Sequence, residues 1–536
     1  MTLRALIKSR LSQGLLALLL PVMSLPCSAG QAVRSSTPDL VAQQLRSIQQ
    51  LVEAGRLDEA RNETESALKI HGSDERLYNF LGAIDAQENN FVAAETNLRH
   101  AIKLAPRFAA PYLNLGRLYQ EHSGTDQHLA QKALNVYEQL LSTYPDNVEG
   151  NYQAARLSNR LGAYAASLHY LGRLPEETQA RTGALSLVCA NEAALGKIEP
   201  ARAAGQKLLT HDDLDSEDML PIDAAISLHK ADVFAIDFLK LRVQRNVFAV
   251  AALQQLADLY EARNKFSDAE AALEQSLQIT GASTQTLMQL ARIAYRAGER
   301  KEALGYLAHD LELEPKSAAA HFFFGMVCVE LNLLPDAKKH LEESVQLDPD
   351  HADYNYALGS VLVQASEFDE AIKRFKKAKE LQPGDAHARF ALGVAYYYSF
   401  QNDEAKAELE AIAQKSEMAA GAQLFLGRIA LKGRSFDEAE KHLQASIAAD
   451  ASISESYEDL GEVYLEKKDY ANAEKALLQA IKLAPDSYLA NQRLQTVYLR
   501  TKNPKASEQA QRTDQLRKAG QERERLLMRT VEIRPY

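Results

Sequence analysis

Side chains that could carry out chemistry are scattered along this sequence. The acidic run at residues 212–218 offers oxygen ligands for calcium, but it lacks the glycine and the closing bidentate glutamate of an EF-hand loop. We therefore expect a solvated connection there. Cys189 and Cys328 are expected to be small apolar core residues. His340 and His442 occupy equivalent positions of a sequence repeat, which explains their occurrence better than metal binding does.

Motifs for catalysis are missing from the sequence. The chain has no G-x-x-x-x-G-K-[ST] phosphate loop, no H-E-x-x-H, no G-x-S-x-G and no paired C-x-x-C. No catalytic residue, cofactor or metal site is predicted, and an enzyme is the least favoured class of function. The candidate residues must instead be judged by the elements that position them.

Composition favours an ordered chain. The 536 residues are 46% hydrophobic and 25% charged, which is typical of folded proteins. The net charge of −11 gives no positive field to attract nucleic acid, so a nucleic-acid partner is not expected. Three cysteines are too few for a scaffold held by disulfides.

The N-terminus has the features of an export signal. Arg4, Lys8 and Arg10 precede an apolar stretch at residues 15–25, and small residues follow at 27–29. A cleaved signal peptide is predicted for residues 1–29, with an uncleaved anchor or lipid attachment at Cys27 as alternatives. We expect an exported protein, periplasmic in a bacterium and otherwise secreted. No later segment is apolar enough to span a membrane, which needs ~20 such residues.

A period of 34 residues organises most of the chain. A small residue recurs at this spacing, and an alanine follows twelve positions after each one. The first series is Ala257, Ala291, Gly325, Gly359, Gly393, Gly427 and Gly461, and the second is Ala269, Ala303, Ala337, Ala371, Ala405, Ala439 and Ala473. Counting the same frame in both directions gives about 14 units. Such a fixed period predicts a repeat architecture.

Each unit has the pattern of a helical hairpin. In the unit that contains Gly461 and Ala473, two apolar helical periods flank the polar turn at residues 467–469. The two small residues allow the helix backbones to approach closely, while Leu477 and its apolar neighbours fill the space around them. Pro485 then ends the second helix because proline lacks an amide donor.

These residues resemble the tetratricopeptide repeat (TPR), whose pattern includes Leu-Gly, Tyr, Ala, Ala and Pro. The resemblance implies an all-α solenoid of about 14 stacked helix-turn-helix repeats forming a superhelix, with the first helices on its concave side. The predicted organisation is a signal peptide at 1–29, a linker at 30–40, TPR repeats at 41–149, degenerate repeats at 150–248, regular repeats at 249–490, and capping helices with a tail at 491–536.

The resemblance also indicates which first-helix residues face the groove. An apolar strip is predicted there as a partner-binding site: Phe322, Met326, Val329, Tyr356, Val363, Phe390, Val394, Tyr397 and Tyr398. The alternative is that neighbouring helices or the C-terminal segment cover it. Towards the C-terminus the same face carries a charged end, which would favour a partner with basic flanks or else is simply solvated: Arg428, Lys432, Glu455, Glu458, Glu462 and Glu466.

The function predicted from these features is that of an exported protein-protein interaction module. It would bind a peptide or partner helix in its groove, with apolar burial supplying affinity. The alternative is a scaffold subunit of an envelope assembly for secretion, polysaccharide export or outer-membrane biogenesis, associated peripherally with that complex.

Overall fold

The computed structural model describes residues 37–229, 232–414 and 416–519. Within these ranges the chain forms 29 α-helices and no strand, so the predicted all-α fold is confirmed. The signal at 1–29 and the tail beyond residue 519 lie outside the described residues. The chain divides into two compact units after Leu256.

The first unit begins with regular pairs of helices. They are α1 (Thr37–Glu53), α2 (Leu57–His71), α3 (Glu75–Gln87), α4 (Phe91–Leu104), α5 (Ala109–His122), α6 (Gln127–Thr143) and α7 (Val148–Arg160). The helices that follow are less regular, since one has eight residues and the next has four. They are α8 (Tyr164–Leu171), α9 (Glu176–Gln179), α10 (Thr182–Ala194), α11 (Ile198–Leu208), α12 (Ser216–His229) and α13 (Asp232–Gln244).

The division between the units falls within α14 (Ala249–Glu261), and the second unit continues in regular pairs. Its helices are α15 (Phe266–Thr280), α16 (Thr284–Ala297), α17 (Arg300–Leu313), α18 (Ala318–Glu330), α19 (Leu334–Leu347), α20 (Ala352–Gln364), α21 (Phe368–Leu381), α22 (Ala386–Tyr398), α23 (Asn402–Glu410), α24 (Ala419–Lys432), α25 (Phe436–Ala449), α26 (Ser454–Glu466), α27 (Tyr470–Leu483), α28 (Tyr488–Arg500) and α29 (Ala506–Ala519).

Helices stack within the second unit as a solenoid. From α15 onward each helix packs against its neighbour in sequence, and the first helices α18, α20, α22, α24 and α26 each also contact the first helix of the next repeat. The first helices α18, α20, α22, α24, α26 and α28 therefore form one continuous layer, and side chains from successive repeats meet on it.

The small residues of the repeat mark the closest helix contacts. Ala371 and Ala473 are fully buried on second helices. On the first helices, a Cβ added at Gly359 would lie 2.7 Å from a ring carbon of Phe375, and one added at Gly461 would lie 2.5 Å from Leu477. The absence of a side chain at these glycines thus sets the distance between paired helices.

The turn inside each hairpin repeats one unusual backbone conformation. In the second unit a residue with positive φ recurs every 34 positions: Asn264, Gly298, Asn332, Ser366, Phe400, Arg434, Lys468 and Lys502. The next amide closes the end of the first helix, as when Gln401 N donates to the Tyr396 carbonyl at 2.9 Å. This left-handed position favours glycine and asparagine, because other side chains are strained there.

A pair of histidines in the second unit makes folding dependent on pH. Nδ1 of His321 on α18 lies 3.0 Å from Nδ1 of His340 on α19, and the His340 ring stacks on Phe324. Burial lowers the pKa of His340 to about 4, and the charges of His321 and Lys339 add to this effect, while Asp336 and Glu343 oppose it. His340 is therefore neutral in the folded chain near pH 6.

The unfolded chain takes up a proton at His340 near pH 6.5, which the folded chain resists. The stabilisation from neutral His340 is thus present above that pH and is lost as the pH falls towards 4. Because the ring is only half-buried, we expect wild type to lose on the order of 1 kcal/mol more than His340→Gln between pH 7 and 4.5. Urea denaturation at both pH values measures this, and an equal loss in the two proteins would contradict it.

Candidate binding surface of the second unit

Most of the predicted apolar strip lies in the core. Phe322, Met326, Tyr356, Val363, Phe390 and Val394 are all buried, whereas Val329, Tyr397 and Tyr398 remain partly exposed. The next repeat covers them: the Phe322 ring lies 4.7 Å from that of Tyr354, and Phe390 lies 5.9 Å from Phe425. The expected exposure is therefore wrong for six of the nine residues, which neighbouring helices cover. Whether the strip binds a partner stays a prediction.

Two of the three partly exposed residues, Tyr397 and Tyr398, form an aromatic group at the end of α22. The rings of Tyr397 and Tyr398 meet edge to face at 5.3 Å, and Tyr397 makes the same kind of contact with Phe425. Lys432, at the end of α24, places Nζ 4.9 Å from the Tyr397 ring and 4.4 Å from the Phe400 ring. An ammonium group so close to two rings is attracted by their negative faces, which holds the three side chains together.

Phe400 is unfavourably placed for stability. It occupies the left-handed turn position with φ of +64°, and its side chain is 75% exposed. A bulky residue is strained in this conformation, and an exposed phenyl ring forgoes the free energy of burial. The same left-handed conformation recurs at Arg434 and Lys468, so the exposed aromatic ring is what distinguishes Phe400 from the equivalent turns.

The charged end of the predicted groove is largely a network of ion pairs. Arg428 Nε donates to Asp459 Oδ2 at 2.7 Å, and both side chains are nearly buried, with 12% and 8% exposed. Arg493 on α28 donates to Glu458 Oε1 at 3.0 Å, reaches Asp459 Oδ1 at 3.5 Å and pairs with Glu462. Asp459 therefore links cations from two different repeats.

Burial shifts the pKa values of the side chains in this network. It raises the pKa of Glu458 and of Glu462, although Arg493 opposes the rise in both cases. Burial alone would lower the pKa of Arg428, but the charge and hydrogen bond of Asp459 leave it raised above its ordinary value. The network thus has a cost in desolvation, which the pairing of opposite charges offsets.

The α26 helix keeps a net negative charge after this pairing. It carries five carboxylates and no basic residue. Arg428 and Arg493 pair with three of the carboxylates, and among the described residues the only cation near Glu466 is Arg434, at 3.8 Å. Glu455 is exposed and has no cation partner among the described residues.

We call the group formed by Tyr397, Tyr398, Phe400, Lys432, Glu455, Glu462 and Glu466 the aromatic-acidic surface. Its members come from α22 and the turn after it, from the end of α24 and from α26. Glu455 and Glu466 lie at opposite ends of α26, roughly 16 Å apart along its axis, so an extended segment can place an apolar side chain on the rings and basic side chains beside the carboxylates.

The family comparisons agree with the helical repeat. Models for the tetratricopeptide repeat match residues 359–398, 390–452 and 430–488. The chain thus contains tetratricopeptide repeats over residues 359–488. Residues 262–344 of this TPR protein match the model for subunit 3 of the anaphase-promoting complex, or cyclosome. The matching models describe repeats and a subunit of a complex, and none describes an enzyme; the TPR fold generally serves as a binding scaffold.

Solved structures similar to this TPR protein are distant. The APC/C hetero-tetramer Cut9–Hcn1 is 17% identical, covering 92% of this chain and 98% of that one, with a TM-score of 0.37. Yeast Tom70 is 16% identical, covering 92% and 95%, with a TM-score of 0.36. A TPR protein from Parabacteroides merdae is 15% identical, covering 46% and 98%, with a TM-score of 0.38. No curated protein sequence matches the chain.

Two further kinds of feature are absent from the described part of the TPR protein. None of its helices in residues 37–229, 232–414 and 416–519 is both long and apolar enough to cross a bilayer. Within the same ranges, no group of three or more His, Cys, Asp or Glu side chains is arranged to hold a metal ion. Cys189 and Cys328 are free and buried, as expected of core residues.

Three residues of the aromatic-acidic surface and the adjoining ion-pair network are not among the site residues predicted from the sequence. Phe400 stands where other repeats have Asn332 and Ser366, so an alignment of the turn sequences identifies it as unusual. Asp459 and Arg493 could have been found by their spacing, because first-helix pairs in neighbouring repeats often lie 31 positions apart. Arg292 with Glu261, Arg428 with Asp459, and Arg493 with Glu462 all have this separation.

Proposed function

We propose that this TPR protein binds a partner protein through the aromatic-acidic surface, and that the partner presents an extended segment or helix. The single observation that carries the proposal is Phe400, an exposed aromatic side chain in a strained backbone conformation. The contact of the ring with Lys432 gains only ~0.5–1 kcal/mol at an exposed site, which is about what the left-handed conformation costs, whereas capture of an apolar side chain gives phenylalanine a role there.

Charge supports a partner with basic residues next to its apolar anchor. Glu455 lacks a cation partner among the described residues, and Glu466 has only a long contact to a largely exposed arginine. A lysine or arginine of the partner would therefore gain attraction there without first displacing a strong ion pair. This attraction is expected to weaken with added salt, because exposed charges are screened.

The central test substitutes the strained residue. Phe400→Asn should change the free energy of unfolding by less than about 1 kcal/mol, because asparagine adopts the left-handed conformation readily but loses the contact of the ring with Lys432. The same variant should bind at least about fivefold more weakly to a fluorescent peptide in which leucine alternates with arginine, since it loses the exposed ring. Urea denaturation and fluorescence anisotropy measure the two effects, and unchanged binding would contradict the proposal.

A charge reversal tests the acidic part of the same surface. Glu455→Lys combined with Glu466→Lys should weaken binding of the basic peptide by about tenfold. The matched control is Glu312→Lys with Glu343→Lys, which makes the same charge change at exposed positions on the second helices α17 and α19. If both double variants lose the same affinity, the effect is that of net charge and the proposed site is wrong.

The second candidate function is that of a scaffold subunit in a larger assembly. It is favoured by the match of residues 262–344 to a family model named for a subunit of a complex. In that case partner recovery would persist in the Phe400→Asn and charge-reversed variants. Convex or edge surfaces would then supply the contacts.

We also propose that the protein is exported, on the basis of the basic and apolar pattern in residues 1–29. A periplasmic location in a bacterium, or secretion otherwise, would follow. An envelope assembly for secretion, polysaccharide export or outer-membrane biogenesis would then be within reach of the scaffold function. Recovery of the chain from the cytosol with residues 1–29 still attached would contradict export.

A further inference from the structure

The first unit contains a cleft of its own, formed where the repeats are irregular. The cleft has a volume of about 350 Å³ and lies among the end of α5, the C-terminal half of α7, the start of α8, α10 and α12. Its apolar wall includes Leu157, Leu187, Leu220 and Pro221. Leu220 is 63% exposed, so this wall is open to solvent. A volume of this size is near the lower end of the ~300–1,000 Å³ found for ligand pockets and has room for one or two apolar side chains.

The helix that forms one wall of the cleft is held in place by a polar contact. Pro221 lies inside α12 and supplies no amide hydrogen, so the first turn of that helix lacks one of its usual bonds. Ser186 Oγ on α10 donates to the carbonyl of Asp218 in that turn. This bond fixes the start of α12 against α10 and keeps Leu220 at the mouth of the cleft.

Two arginines line the same cleft without a carboxylate partner among the described residues. Arg160 donates to two neutral groups, Ser123 Oγ at 2.8 Å and the carbonyl of Gly124. Arg156 approaches the ring of Tyr152, with Cζ 6.0 Å from its centroid. The two residues lie one helical turn apart on α7, a spacing at which like charges repel.

Two acidic side chains near this part of the fold have other partners. Glu149 accepts a hydrogen bond from Gln153 and lies 3.8 Å from Arg117. Asp218 accepts from the backbone amide of Asp215 through its carboxylate. Two guanidinium groups that pair with no carboxylate in the described ranges therefore stand beside an open apolar cleft, in a chain whose net charge is −11.

We propose that this cleft is a second docking site, and that it binds an acidic segment of a partner protein. An apolar side chain of the segment enters between α7 and α12, while an adjacent aspartate or glutamate pairs with Arg156 and Arg160. Charge complementarity selects this occupant, because an acidic segment supplies the carboxylates that the described residues do not, and a neutral ligand would supply none. The preference is opposite to that of the aromatic-acidic surface.

The test uses the full chain and a fluorescent peptide in which leucine alternates with glutamate. Arg156→Gln combined with Arg160→Gln should lower its affinity at least about tenfold, with no loss of affinity for the leucine-arginine peptide. The matched control, Arg107→Gln with Arg173→Gln, removes the same charge from exposed positions that do not line the cleft. Equal losses in the two double variants would overturn the proposal.

A second variant keeps the charge and fills the space. Ala224 lines the cleft but is exposed, so Ala224→Phe should leave folding intact and block the apolar side chain. We expect it to weaken acidic-peptide binding at least about fivefold. Unchanged binding would overturn the proposal, as would failure of wild type to bind the peptide at ~1 mM.

Laurate distinguishes a peptide-binding cleft from a fatty-acid site. If laurate binds wild type and not Ala224→Phe, while the acidic peptide binds neither protein, the cleft takes a fatty acid and the proposal is wrong. Displacement of the bound peptide by laurate would support the proposal, because both would then occupy the same cleft. The aromatic-acidic surface is measured with a different peptide and different variants, so failure of either site is recognised independently of the other.

Discussion

Arg428→Met is expected to destabilise the second unit by about 3 kcal/mol. The substitution removes the guanidinium that holds Asp459 at 2.7 Å and leaves that carboxylate buried. Losses of ~3–5 kcal/mol are typical when one partner of a buried pair is deleted. Arg493 stays within 3.5 Å of Asp459, so the lower end of the range applies. Urea denaturation of the full chain measures the change.

Two further variants distinguish the cost of leaving Asp459 unpaired from the cost of losing an arginine side chain. Adding Asp459→Leu to Arg428→Met should restore stability to within about 1 kcal/mol of wild type, because no unpaired charge then remains. Arg434→Met removes an arginine that is largely exposed and 3.8 Å from Glu466, and it should cost less than about 0.5 kcal/mol. If Arg428→Met were as mild as this control, the network would have no structural importance.

Gly359→Ala is the second substitution with a large expected effect. The new methyl group would lie 2.7 Å from Cε1 and 2.9 Å from Cδ1 and Cζ of Phe375, which is itself fully buried. The ring cannot move away without disturbing the packing of α20 against α21. Overpacking of this kind costs about 1–3 kcal/mol, even though alanine favours the helix. Thermal and urea denaturation should both show the loss.

A glycine in the same unit provides the control for this substitution. Gly305 lies within α17, and a Cβ added there meets no atom within 4 Å. Gly305→Ala should therefore stabilise the protein by about 0.5–1 kcal/mol through helix propensity alone. A stabilising effect of both substitutions would show that the glycine of the repeat is not required for helix approach.

The repeat and its helices could be predicted because their signals are local and periodic. Small residues equivalent to Gly359 and Ala371 recur in other units at the same spacing. Each lies at a close contact between the two helices of its own hairpin. Burial of the strip depends instead on the next repeat. Gly421 on α24 lets that helix approach Phe390, because a Cβ there would lie 2.9 Å from its ring. The 34-residue period predicts the helix face on which Phe390 lies. It does not predict how much of the Phe390 side chain α24 of the next repeat buries.

The charged end of the groove illustrates a similar limit. The sequence places six charged residues on one face, and the expectation of a solvated or partner-binding surface includes no ion pairs among them. Their pairing depends on Asp459 and Arg493, which lie on successive first helices and meet only when the repeats stack. The left-handed turn at Phe400 likewise depends on backbone geometry, which becomes visible only when the turns of all repeats are compared.

The position of Asp459 between Arg428 and Arg493 has a consequence for how the chain opens. In a simple solenoid the terminal repeats fray one at a time, because each contacts only its neighbours. Here unfolding of α28 would remove Arg493 from Glu458 and Glu462 and would leave Asp459 with Arg428 as its single counterion among the described residues. Fraying past α28 therefore meets an electrostatic barrier, so α24 to α28 should exchange their amide hydrogens as one cooperative block.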